Sequence, residues 1–179
     1  MRKIARSAIL VLFAVLFAAA GRAQQPSTDL APVALLDKLA GRWVMTGTLA
    51  GKPATHDVEA SWVLKREYVQ FHEVSRDKDA NGAPAYEAIV YIGWNATTNE
   101  YGCLWLDNTE AWDFTARGLT RTKKAGNSIP FMIALAPNDA IHSTFRYEPP
   151  SDSWQLTIDN VTDGKTRRFG DVRLTRKKS

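Results

Sequence analysis

Two groups of residues in this chain have the types and spacing to do chemistry. Tyr68, Gln70 and His72 recur at every second position, the interval that puts side chains on one face of a strand. Together they would offer a phenol, an amide and an imidazole to a small molecule. Val69, Phe71 and Glu73 occupy the opposite face of the same run, and alternation leaves open which set points inward. An inward His72 would serve as a general base or as a metal or haem ligand, with Tyr68 or Asp107 assisting. Trp94, Trp105 and Trp112 fall on successive candidate strands and would form a stacking wall for a planar or apolar ligand.

Other reactive types read more plainly. His56 is in phase with Val58, Ala60 and Trp62 and reads as a rim histidine without a partner. Glu87, Asp107 and Asp113 read as solvated strand-end acids rather than an acid–base pair. Cys103 is the chain's one cysteine, a small strand residue with no neighbouring cation to activate it. No metal site is expected: His56, Asp57 and Glu59 are close in sequence, but a strand sends neighbours to opposite faces. The chain has no His-Glu-x-x-His helix, no Gly-x-Ser-x-Gly elbow and no Gly-rich phosphate loop. No cofactor is predicted.

The elements that must position these residues are mostly strands. Val33, Leu36 and Leu39, with Leu35 beside them, make one short helix over Pro32 to Leu39 that ends before Gly41. From Gly41 the period changes to two. Ten candidate strands follow: Arg42 to Leu49, Thr55 to Leu64, Glu67 to Val74, Tyr86 to Trp94, Tyr101 to Asp107, Ala111 to Ala116, Ser128 to Leu135, Ala140 to Tyr147, Ser153 to Asn160 and Thr166 to Thr175. Turn signals such as Ala50-Gly51, Asn81-Gly82 and Asp163-Gly164 separate them and favour sequential antiparallel pairing. No long helical connection is present, which excludes parallel βαβ architecture. A meander whose strands each have one dry face must hide its edges, so the expected fold is all-β, an antiparallel up-and-down barrel of about ten strands. A barrel of this size encloses room for one small ligand.

Charge and composition narrow the setting. Arg2, Lys3, Arg6 and Arg22 are four of the 23 basic residues and no acid precedes Asp29, so the remainder carries 19 residues of each sign. The net charge of +4 therefore belongs to the N-terminus, and the neutral remainder is not a nucleic-acid binder. Met1 to Arg6 is basic, Ser7 to Ala20 apolar, and small residues run to Ala23, the three parts of a secretory signal. Residues 1–23 are read as a signal peptide and 24–179 as one barrel domain, periplasmic or secreted. The apolar run is too short for an ordinary spanning helix and no stop-transfer segment follows, so stable membrane insertion is not expected. The basic residues Arg167, Arg168, Arg173, Arg176, Lys177 and Lys178 read as charges guarding an edge strand. Homo-oligomer formation has no signature in the sequence.

Gly41-Arg42-Trp43 after a short helix resembles the Gly-x-Trp entry of lipocalin-like proteins, in which the tryptophan closes the barrel floor. The wider series runs through Trp62-Val63-Leu64-Lys65-Arg66-Glu67-Tyr68, Ala85-Tyr86-Glu87, Tyr91-Ile92-Gly93-Trp94-Asn95, and Tyr101 with Trp105 and Asp107. It is similar to a bacterial family of exported lipocalin-like (calycin-type) barrels of unassigned function, over roughly residues 30 to 175. That resemblance implies a barrel with an internal site for a small hydrophobic or aromatic molecule, with Trp43 on the floor, and no transferable catalytic residue. Nitrobindin-like barrels share the shape and hold haem through a histidine on a late strand. Here no histidine follows His142, so haem would need His72 or His142 as its axial ligand.

Overall fold

Strands with one apolar face can all be buried at once if their sheet curls on itself, and the computed structural model, which describes residues 29–109 and 118–178, has that architecture. Helix α1 (Pro32–Leu39) precedes ten strands. They are β1 (Gly41–Leu49), β2 (Lys52–Val63), β3 (Tyr68–Ser75), β4 (Glu87–Asn95), β5 (Glu100–Asp107), β6 (Leu119–Thr122), β7 (Ser128–Ala136), β8 (Asp139–Glu148), β9 (Ser153–Thr162) and β10 (Lys165–Arg176). Their order around the sheet is β6-β5-β4-β3-β2-β1-β10-β9-β8-β7, a consecutive antiparallel meander in which the first and last strands pair. The barrel is nearly closed. At the seam between β6 and β7 a side chain makes the link, with Thr120 Oγ1 donating to Met132 O at 2.6 Å.

The strands β1 to β5 and β7 to β10 coincide with expected runs to within three residues at either end. β6 was not anticipated, because Leu-Thr-Arg-Thr is too short and too polar to show a face. The expected strand Ala111 to Ala116, with Trp112 and Asp113, lies outside the described residues, as do residues 1–23. β10 is not an edge strand: it lies between β1 and β9, and two of its cations form ion pairs, Arg168 with Asp159 and Arg176 with Asp152. Two hairpins follow from turn chemistry. Ala50 and Gly51, then Asp163 and Gly164, all take positive φ, giving two-residue loops whose twist matches that of the flanking strands.

α1 plugs one end of the barrel. Leu35, Leu36 and Leu39 are fully buried, and the helix's last carbonyls, which have no partner within the helix, are taken up by the barrel floor. Trp43 Nε1 donates to Leu39 O at 2.8 Å and Trp154 Nε1 to Lys38 O at 3.2 Å. Arg176 stacks over the Trp43 ring at 4.2 Å while its guanidinium donates to Ala40 O and Lys38 O. The Trp43 indole is thus both core ring and helix cap.

Midway up, Phe145 of β8 meets Phe71 of β3 at 5.7 Å, Phe131 of β7 at 6.4 Å and Trp105 of β5 at 6.4 Å. These rings reach across the interior from opposite walls and fill its middle. The space that remains to consider is the end away from α1.

Candidate functional site

Register brings five chemically active side chains to that end. On β3 the inward set is Val69, Phe71, Glu73 and Ser75, each buried. Antiparallel pairing sets Val58 opposite Glu73 and His56 opposite Ser75, so His56 and Glu73 are diagonal neighbours on the inner face. Glu73 stands opposite Ala88, Ala88 opposite Asp107, and Val90 opposite Trp105. Tyr86, whose carbonyl accepts from Ser75 N at 2.8 Å, joins the same face one step beyond Ala88. Ala88, itself buried, sits between the acids that flank it.

The contacts among these groups are close. His56 and Glu73 are 4% and 3% exposed, and Nδ1 and Oε1 are 2.5 Å apart, the imidazole N–H donating to the carboxylate. A carboxylate this dry is tolerable because the imidazole is its partner. Tyr86 stacks on His56 with ring centres 5.8 Å apart. Its hydroxyl accepts from Trp105 Nε1 at 3.3 Å and makes a long 3.5 Å donation to Asp107 Oδ2. Burial, then the charges of Glu73 and Asp107, push the Tyr86 phenol far above the usual tyrosine range, so it remains a neutral donor. Asp107 is anchored from the other side by Thr109, whose N–H and hydroxyl donate to Oδ1. Tyr86, Trp105 and Asp107 keep partial exposure and connect the cluster to solvent.

The sequence-derived candidates divide across this frame. Tyr68, Gln70 and His72 lie on the outer face of β3, a correction to the arrangement in which they converge inside. Both faces of that strand carry ionisable groups, and Val69 and Phe71 decide in favour of burying theirs. The Tyr68 ring covers Gly93 from outside, where a Cβ would fall 2.7 Å from it. His72 Nε2 meets Glu87 Oε1 at 2.7 Å on the outer surface, so the interior chemistry expected through His72 has no geometric support. His142 also faces outward, beside Met132 on β7. Neither histidine can present an axial ligand to a haem held inside. Trp94 and Trp105 do face inward, but they are separated: Trp94 packs on Tyr101 at 4.8 Å in the floor half, and Trp105 joins Tyr86 toward the end away from α1. Trp112 lies outside the described residues. His56, expected to be a rim residue without a partner, is buried and paired.

Glu73 and Tyr86 were missed as site residues. The available signal was Glu73 in phase with Val69 and Phe71, an acid on an apolar face one strand away from an in-phase histidine. Cys103 points inward beside Ile92, and burial pushes its thiol up to about 12, which leaves it unreactive. Among the described residues no three His, Cys, Asp or Glu side chains converge as metal ligands. Two surface concavities, of about 560 Å³ against β7 and β8 and about 150 Å³ against β1 to β3, both lie on the outer wall. Among the described residues no helix is long and apolar enough to cross a membrane.

Fold and site together define an all-β, nearly closed barrel of ten antiparallel strands, consistent with a lipocalin-like fold, with a buried polar cluster at the end away from α1. No protein-family model matches the chain, and no curated protein matches it as a relative.

Proposed function

We propose that this chain is an exported lipocalin-like barrel that binds a small apolar or aromatic molecule at the open end of its interior. The observation that carries the reading is the convergence of His56, Glu73, Tyr86, Trp105 and Asp107 above the Phe71–Phe131–Phe145 layer. A few polar groups set in apolar walls, some still reached by solvent, are the usual make-up of a small-molecule site. Ring faces of Trp105 and Tyr86 supply stacking area, and the polar atoms supply orientation.

A neutral fluorescent probe, phenyl-naphthylamine, tests this directly. Its emission should rise on binding to the wild-type protein and the rise should be lost in Ala88→Met, which crowds the inner face between Glu73 and Asp107. His142→Ala, on the outer concavity, should leave binding unchanged. Equal binding by Ala88→Met, or loss in His142→Ala, would put the ligand outside the barrel. Export is part of the same proposal and rests on residues 1–23. N-terminal sequencing of protein recovered from its own host should begin at Gln24, and an intact Met1 would contradict it.

The 2.5 Å pairing of His56 with Glu73 favours one second reading, an enzyme in which His56 takes the general-base role. A carboxylate on Nδ1 fixes the ring and directs Nε2 at the interior. Turnover lost in His56→Gln with ligand binding retained would establish it.

A further inference from the structure

Exposed apolar side chains gather on the outer wall at the seam between β6 and β7, where the barrel is least closed. Leu104 of β5 stands opposite Leu119 of β6, and Leu106 lies two residues further along the same face of β5. Thr120, next to Leu119, holds Met132 O of β7 across the seam. All four apolar side chains are exposed, Leu119 by 60% and Met132 by 57%. Single exposed apolar residues are ordinary, but a contiguous strip marks a contact surface. The strip also lies over a weak edge, because β6 has four residues to set beside the nine of β7, and such edges gain from being covered.

The charges at the two ends of the strip indicate what covers it. Arg121 and Lys123 are exposed at the end nearest α1, where Thr122 stands opposite Tyr101 and the Tyr101 hydroxyl donates to Pro32 O. Asp139 and Asp163, in the turns at the far end, line the outer concavity that begins at Met132. None of these four charges forms an ion pair among the described residues. A surface that is positive at one end and negative at the other is complementary to a copy of itself turned end over end, and a two-fold axis makes that match twice. An anionic lipid surface would meet the two acids as well as the two bases, which disfavours a membrane as the occupant. We infer that the chain forms a homodimer through this strip: Leu104, Leu106, Leu119 and Met132 pack against the same residues of a second copy, and Arg121 and Lys123 of each copy face Asp139 and Asp163 of the other. The contact is on the outer wall and is independent of the interior-site reading.

Sedimentation velocity of the protein purified from its own host, over a wide range of concentrations, should show a monomer–dimer equilibrium. Leu119→Glu and Met132→Glu each set a carboxylate in the apolar strip and should weaken the dimer at least about tenfold. Both positions are exposed in the single barrel, so circular dichroism should be unchanged, and the two variants on different strands test the strip independently. Phe169→Glu, an exposed apolar position on β10 away from the seam, should have no effect. Arg121→Glu should weaken the dimer about two- to tenfold, since each ion pair counts twice across the axis. Adding Asp163→Arg to that chain should restore it, a rescue that neither a lost fold nor a purely apolar contact would give. A monomer at every concentration, a dimer indifferent to both Leu119→Glu and Met132→Glu, or no rescue by the second reversal overturns the inference. A monomer that floats with anionic phospholipid vesicles overturns it too, and gives the strip to lipid.

Discussion

His56 and Glu73 are each buried because the other is, and this makes the pair sensitive to the loss of one member. Glu73→Ala leaves an imidazole in the barrel wall without its acceptor and should lower stability by about 1–3 kcal/mol in urea unfolding. Glu73→Gln keeps an acceptor oxygen and should cost less; equal losses would mean that volume rather than hydrogen bonding holds the site. The outer pair of His72 and Glu87 offers the contrast. Both side chains are more than a third exposed, and cutting that pair should change stability by less than about 1 kcal/mol. Sequence alone could not rank these two histidines. Each sits in an alternating run with an acid in reach, and the difference lies in which side of β3 the barrel closes upon. That choice is made by Val69 and Phe71 packing with residues distant in sequence, such as Phe145.

At the scale of elements, α1 and the floor form one unit, because the helix C-terminus has its carbonyls filled by Trp43, Trp154 and Arg176. Trp43→Ala removes a fully buried ring and a cap together and should cost about 3–5 kcal/mol. Trp43→Phe keeps the ring, loses the donor, and should cost markedly less; the difference measures the cap. The capping role of Trp43 was not legible in the sequence, where the resemblance to lipocalin-like proteins implied only a place on the barrel floor, whereas alternation made β1 to β5 and β7 to β10 legible. β6 escaped because four mostly polar residues give no period. The turn after β2 was also illegible: Leu64, Lys65 and Arg66 take φ of +49°, +58° and +68° in succession, without a glycine. Left-handed backbone costs an L-residue about 1–2 kcal/mol, and here it is held by Arg66, which pairs with Asp37 and lies over the Trp62 ring at 4.7 Å. Lys65→Gly should relieve part of that strain and raise the melting temperature. An unchanged or lower value would show that the segment is not strained at this position.

For the whole molecule, barrel closure was readable from the number of one-faced strands, and the site was not, because it is assembled from four neighbouring segments whose register the sequence leaves free. Closure is reinforced by ion pairs that bridge distant parts of the chain. Arg76, with Lys177 adding to it, holds the Asp57 carboxyl well below the usual carboxylate range, and Arg176 lowers Asp152. Lowered folded-state values contribute stability above the ordinary carboxylate pKa of about 4 that is lost as pH falls below it. The melting temperature should therefore drop on acidification through that window, with a smaller drop at high salt because these groups are solvent-screened; a drop confined to neutral pH would point to other groups. The account's central claim is that the open end of the barrel holds a small molecule. Native mass spectrometry of the protein purified from its own host, beside Ala88→Met prepared in the same way, tests it most directly. The account predicts a reproducible extra mass on the wild-type chain that the variant lacks, and a bare mass for both, or the same extra mass on both, would contradict it.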